Sequence, residues 1–66
     1  MKPNPHNPYG YKICYQEKGS SVYIRYFLTY TYKDAVTAMQ GYIRYPPTER
    51  ETGRQLNNPR WFIFPV

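Results

Sequence analysis

Covalent chemistry in this chain would have to start from one thiol and one imidazole, because Cys14 is the single cysteine and His6 the single histidine. A cysteine nucleophile needs a neighbouring base or cation to hold it as thiolate, and that base is most often histidine. His6 lies in a stretch punctuated by Pro3, Pro5 and Pro8, and no sequence neighbour of Cys14 lowers its pKa. Together the two supply too few nitrogen and sulfur ligands for a zinc site. Asp34, Glu49 and Glu51 are explained by a helix start and a solvated loop. The glycines at 10, 19, 41 and 53 are isolated, so no phosphate-cradling loop is present. The chain is expected not to be an enzyme, with no catalytic residue, metal, cofactor or small-molecule substrate.

Binding chemistry is better represented. The segment Val22-Tyr23-Ile24-Arg25-Tyr26-Phe27-Leu28-Thr29-Tyr30 alternates, placing Val22, Ile24, Tyr26, Leu28 and Tyr30 on one face and Tyr23, Arg25, Phe27 and Thr29 on the other. Lys12, Tyr23, Arg25 and Phe27, with Phe62 and Phe64, are candidates for one partner-facing surface. Aromatic rings there could stack on unpaired bases, while Lys12 and Arg25 neutralise phosphates or read guanine edges. The same residues serve a protein interface, where Tyr and Arg are enriched and Lys is depleted. Nine Tyr against four Lys favours the protein partner, self-association as a homodimer included, over nucleic acid.

These residues need elements to position them. Tyr11, Ile13 and Tyr15 alternate with Lys12, Cys14 and Gln16, which predicts a strand over 11–17. Lys18-Gly19-Ser20-Ser21 is a turn of hairpin length, and a second strand follows over 22–30. Thr31 can cap a helix over 32–45, with Asp34 in its first turn and Tyr32, Ala35, Val36, Met39, Tyr42 and Ile43 as its apolar stripe. Pro46-Pro47 ends it. Thr48-Glu49-Arg50-Glu51 has capping-box spacing and predicts one helical turn in an otherwise polar connection. Arg60 to Pro65 predicts a last, aromatic strand, held to an edge by Pro65.

The order β-β-α-β implies an α+β fold: a three-stranded antiparallel sheet, order 2-1-3, with one helix on one face. The expected core is Ile13, Tyr15, Ile24, Tyr26, Leu28, Ala35, Val36, Met39, Tyr42, Ile43, Trp61 and Ile63. Residues 1–10 are expected to form a flexible, proline-rich tail, and 11–66 the single domain.

Sixty-six residues allow one domain with a marginal core, and no disulfide or metal reinforces it. Thirteen aromatic residues are the expected substitute. The lone thiol suits a reducing cytoplasm, Met1-Lys2-Pro3-Asn4-Pro5 lacks the apolar run of a signal peptide, and no stretch is long enough for a membrane span. Nine basic against four acidic residues give +5, spread without a basic run, which favours acidic partners or polyanions only generically.

Tyr11-Lys12-Ile13-Cys14-Tyr15, Ile24-Arg25-Tyr26-Phe27, Arg44-Tyr45-Pro46-Pro47 and Asn58-Pro59-Arg60-Trp61 resemble a group of small proteins encoded on conjugative and other mobile elements of Gram-positive gut bacteria. The resemblance spans residues 11–66. It implies an accessory role in a mobile element and carries over no functional residue.

Overall fold

The computed structural model describes residues 9–66; His6 and most of the expected tail lie outside the described residues. The elements are β1 (Tyr11–Gln16), β2 (Ile24–Thr29), α1 (Tyr32–Arg44) and β3 (Arg60–Pro65). The sheet is antiparallel throughout in the order β2-β1-β3, the α+β arrangement expected from the sequence. No helix among the described residues is long and apolar enough to cross a membrane.

The strand over 22–30 proves shorter, at both ends, than its alternation predicts. The Ser20 N–H donates to the Glu17 carbonyl at 3.0 Å, closing the turn, and the Val22 N–H donates to Ser20 Oγ at 3.1 Å. Val22 therefore spends on the turn a donor that a ladder would need. At the other end Thr29 Oγ1 donates to the Thr31 carbonyl at 3.0 Å, bending the chain into the helix.

Thr31 is the N-cap, its hydroxyl accepting from the Asp34 N–H at 3.1 Å. Asp34 in the first turn and Arg44 in the last complement the helix dipole. Ala35 is fully buried, and Ala38, Met39 and Tyr42 pack beside it. At about 100° per residue that stripe leaves Val36 and Ile43 roughly 90–110° off its centre. This corrects the expected stripe: Val36 is only half-buried and Ile43 is 59% exposed, while Ala38 takes an inner position.

The largest departure lies inside β2. Ile13 stands opposite Phe27 but Cys14 opposite Arg25, so Tyr26 is an extra residue, a β-bulge. The Tyr26 ring points to the helix side, 5.0 Å from Tyr42 and 5.7 Å from Trp61. Beyond the bulge the faces exchange, because directly opposed residues of an antiparallel pair share a face. Leu28 joins Lys12 away from the helix and is 48% exposed, so it is not core. Phe27 and Thr29 fall on the helix side, opposite Ile13 and Tyr11. Ile24 has the expected facing, opposite Tyr15, but an edge position leaves it 41% exposed.

The core is thus smaller than expected and more aromatic. Ile13 and Ala35 are fully buried at its centre with Tyr11, and Trp61 binds the remainder, its ring 5.4 Å from Tyr15 and 5.0 Å from Tyr42. Leu56, from the polar connection, is also buried. That connection contains no helix, only one turn closed by an i+4 to i backbone bond. Thr48 bridges Gln55, the Glu49 N–H donates to the Arg54 carbonyl at 2.8 Å, and the Gly53 N–H donates to the Glu49 carbonyl at 2.8 Å, giving a small closed loop. The capping-box pair Thr48 and Glu51 does not form, since Thr48 bridges Gln55; Glu49 instead accepts from Thr52 Oγ1 at 2.5 Å.

Candidate functional site

The helix covers one face of the sheet, and the register defines what stands on the other. Lys12 and Cys14 on β1 lie opposite Phe64 and Phe62 on β3, and opposite Leu28 and Arg25 on β2. Tyr23, just before β2, reaches across the central strand: its ring sits 5.2 Å from Phe62 and 5.4 Å from Phe64, nearly perpendicular to both. Phe62 and Phe64 lie 6.1 Å apart, 18° from parallel. Five of the six residues proposed for this face, Lys12, Tyr23, Arg25, Phe62 and Phe64, are therefore brought together. Phe27 is not, since the Tyr26 bulge turns it to the helix side.

The open face is not uniformly wet. Cys14, at its middle, is only 3% exposed, whereas Tyr23 remains 51% exposed. Burial pushes the Cys14 thiol above its ordinary value, against the weaker pull of Lys12 and Arg25. Neither Lys12 nor Arg25 has a carboxylate within ion-pair distance among the described residues. No group of His, Cys, Asp and Glu among the described residues could hold a metal ion.

A second polar assembly fastens the 48–55 loop to the end of β1. The Arg54 guanidinium grips Glu17 with two bonds, of 3.0 and 2.7 Å, and reaches Glu49 at 3.0 Å. Glu17 also accepts from the Asn57 N–H at 2.8 Å, while the Asn57 carbonyl receives the Lys18 N–H at 3.0 Å. Beside it the Arg50 guanidinium lies 4.3 Å over the Tyr26 ring. Sequence reading missed this clamp because Arg54 and Glu17 stand 37 residues apart. Only the excess of loop charges hinted at it.

The clamp has a pH signature. Arg54 hydrogen bonding, then the Asn57 N–H, draws the Glu17 carboxyl down to about 2 from its ordinary 4.5. A folded value below the unfolded one means the clamp contributes fully above about 4.5 and is lost as pH falls through about 2. The Asn57 and Lys18 amide resonances should therefore hold through the ordinary carboxylate range and move only near pH 2. In Arg54→Ala the midpoint should rise toward 4.5; a wild-type midpoint already there would show the clamp unformed in solution.

No protein-family model matches the chain, and no curated protein or solved structure matches it.

Proposed function

We propose that this chain is a non-enzymatic protein-interaction module, an accessory protein of a mobile element acting in the cytoplasm, with the open sheet face as its contact surface. The observation that carries the reading is the Tyr23–Phe62–Phe64 cluster, standing on a face no helix covers, with half of Tyr23 exposed. A sheet face meant only for water carries alternating polar residues, whereas interface cores are enriched in aromatics. Rings held against one another present a rigid surface, so little side-chain entropy is lost when a partner docks. Rings engaged edge to face are also less free to stack on bases, which favours protein over nucleic acid.

Two features support the non-enzymatic part. The one thiol is buried and pushed up, the opposite of what a nucleophile requires. Glu17 and Glu49 are committed to Arg54. A single cysteine, buried in the sheet, suits a reducing compartment, and the four segments resembling mobile-element proteins supply the biological setting.

One observation favours a second reading, a nucleic-acid-binding face: Lys12 and Arg25 flank the rings without carboxylate partners. Anisotropy titrations with labelled duplex DNA, single-stranded DNA and RNA decide between the two. The protein-interaction reading expects binding only at low salt, as for any chain of charge +5, and no change in Tyr23→Ala. Binding that survives physiological salt, prefers one nucleic acid and weakens in both Tyr23→Ala and Arg25→Ala would hand the face to nucleic acid.

A further inference from the structure

One group of exposed apolar side chains follows a strand rather than a face. Besides Tyr9, Tyr32, Ile43, Tyr45 and Val66 elsewhere, Val22, Tyr23, Ile24, Phe27, Leu28 and Tyr30 are 41–72% exposed within or beside β2. The bulge sets them on both sides of the sheet, Ile24 and Phe27 toward the helix and Leu28 away from it. A partner stacked on either face would cover only part of that set. A strand laid against the β2 edge covers both at once, since its side chains alternate across the sheet as those of β2 do.

The backbone points the same way. β2 is an edge strand, paired on one side with β1 and, among the described residues, met by no strand on the other. Natural edge strands are usually blunted by Lys, Pro, a bulge or a covering segment, and of these β2 carries the Tyr26 bulge. Ile24–Thr29 contains neither Lys nor Pro, and Arg25 is its one charge. The other edge, β3, ends in Pro65, which has no N–H to donate. Helix α1 also packs more closely over β3 than over β2, and beside Ile24 an open pocket is walled by Glu49, Arg50 and Glu51 of the loop.

We propose that the occupant of this edge is a second copy of the chain, paired β2 to β2 in antiparallel fashion about a two-fold axis. The product is a six-stranded sheet, β3-β1-β2-β2-β1-β3, with both helices on one face and the two Tyr23–Phe62–Phe64 clusters on the other. Two-fold pairing consumes both exposed β2 edges, and Pro65 disfavours growth from the outer strands, so assembly stops at the dimer. The second copy is chosen over an unrelated strand because a core of 66 residues gains most from burial it can supply itself. The Tyr26 bulge interrupts regular ladder geometry, so the pairing is short and the flanking apolar side chains carry much of the association. This surface borders the open face and shares Tyr23 and Leu28 with it, but it rests on the β2 edge, so either contact can fail without the other.

Sedimentation equilibrium across micromolar to submillimolar concentrations should report twice the 8.0 kDa chain mass, with tighter association as salt screens two chains of like charge. Amide exchange should protect consecutive residues through Phe27–Thr29 in the dimer, where a lone edge strand leaves alternate amides facing water. Ile24→Lys with Leu28→Lys, both at exposed positions, should weaken association by about tenfold or more by setting a charge in the new interface on each side of the sheet. Near-UV dichroism of the core rings checks that this variant still folds. Phe62→Ala, on the open face of β3, should dimerise normally. A wild-type monomer throughout, or a dimer lost in Phe62→Ala and kept in the double Lys variant, would overturn the proposal.

Discussion

Trp61→Ala is expected to unfold the domain. Trp61 on β3 holds its ring 5.4 Å from Tyr15 on β1, 5.7 Å from Tyr26 on β2 and 5.0 Å from Tyr42 on α1, so one side chain touches every element. Truncating a packed Trp costs about 3–5 kcal/mol, by lost burial and by the cavity left behind. A core in a domain of this size supplies about 3–5 kcal/mol of net stability, so the loss is comparable to the whole. The remaining rings cannot close the gap, because Tyr26 and Tyr42 already lean on each other at 5.0 Å. Far-UV dichroism and urea titration measure the outcome, since the variant has lost its only indole. Trp61→Phe keeps an aromatic ring in the cluster and should remain folded with a lower urea midpoint. A Trp61→Ala protein with an unchanged midpoint would mean that the aromatic cluster does not hold the fold.

Much of this architecture could be read from local pattern. β1 alternates cleanly, β3 is a short, β-prone aromatic run closed by Pro65, and Thr31, Asp34 and Pro46 mark the helix ends whatever packs around them. With those elements fixed, antiparallel pairing on both sides of β1 follows. β2 is different because nearly every residue from Val22 to Tyr30 is apolar or aromatic. Either parity of such a strand can face a core, so nothing in the pattern marks where a bulge changes it. The misplacement of Leu28 and Phe27 has this single cause. Val36 and Ile43 differ for a related reason: the pattern puts these larger side chains on the inner face with Ala35, whereas Ala38, small enough to let the helix approach the sheet, takes the place beside it.

The candidate face divides in the same way. Lys12 is legible from the alternation of β1, Arg25 because it precedes the bulge and keeps the facing assigned from Ile24, and Phe62 and Phe64 because Trp61 and Ile63 take the inner face of β3. Phe27 is not, being past the bulge. The Glu17–Arg54 clamp and buried Leu56 depend on a loop folding back over many residues, and no short-range pattern encodes that return. The exposure of β2 on both faces is likewise a property of the assembled sheet.

Gly10→Ala should produce the second large loss of stability, from a position that the sequence reading assigned to a tail. Gly10 has φ +87°, and a Cβ there would sit 2.5 Å from the Thr29 carbonyl oxygen. Two costs arise. A residue with a Cβ in that conformation is strained by about 1–3 kcal/mol. The contact is with backbone at the end of β2, so no rotamer change relieves it and the strand end must shift. The Gly10 carbonyl also accepts the Val66 N–H at 3.0 Å, and displacing Gly10 loosens the tie between the start of β1 and the residue following β3. Gly19→Ala separates the two costs. Gly19 has a similar φ, +85°, but its added Cβ would meet nothing within 4 Å. Its loss in urea denaturation should report backbone strain alone, and the further loss in Gly10→Ala the collision with Thr29. Equal losses in the two variants would mean that residue 10 does not pack against β2 in solution.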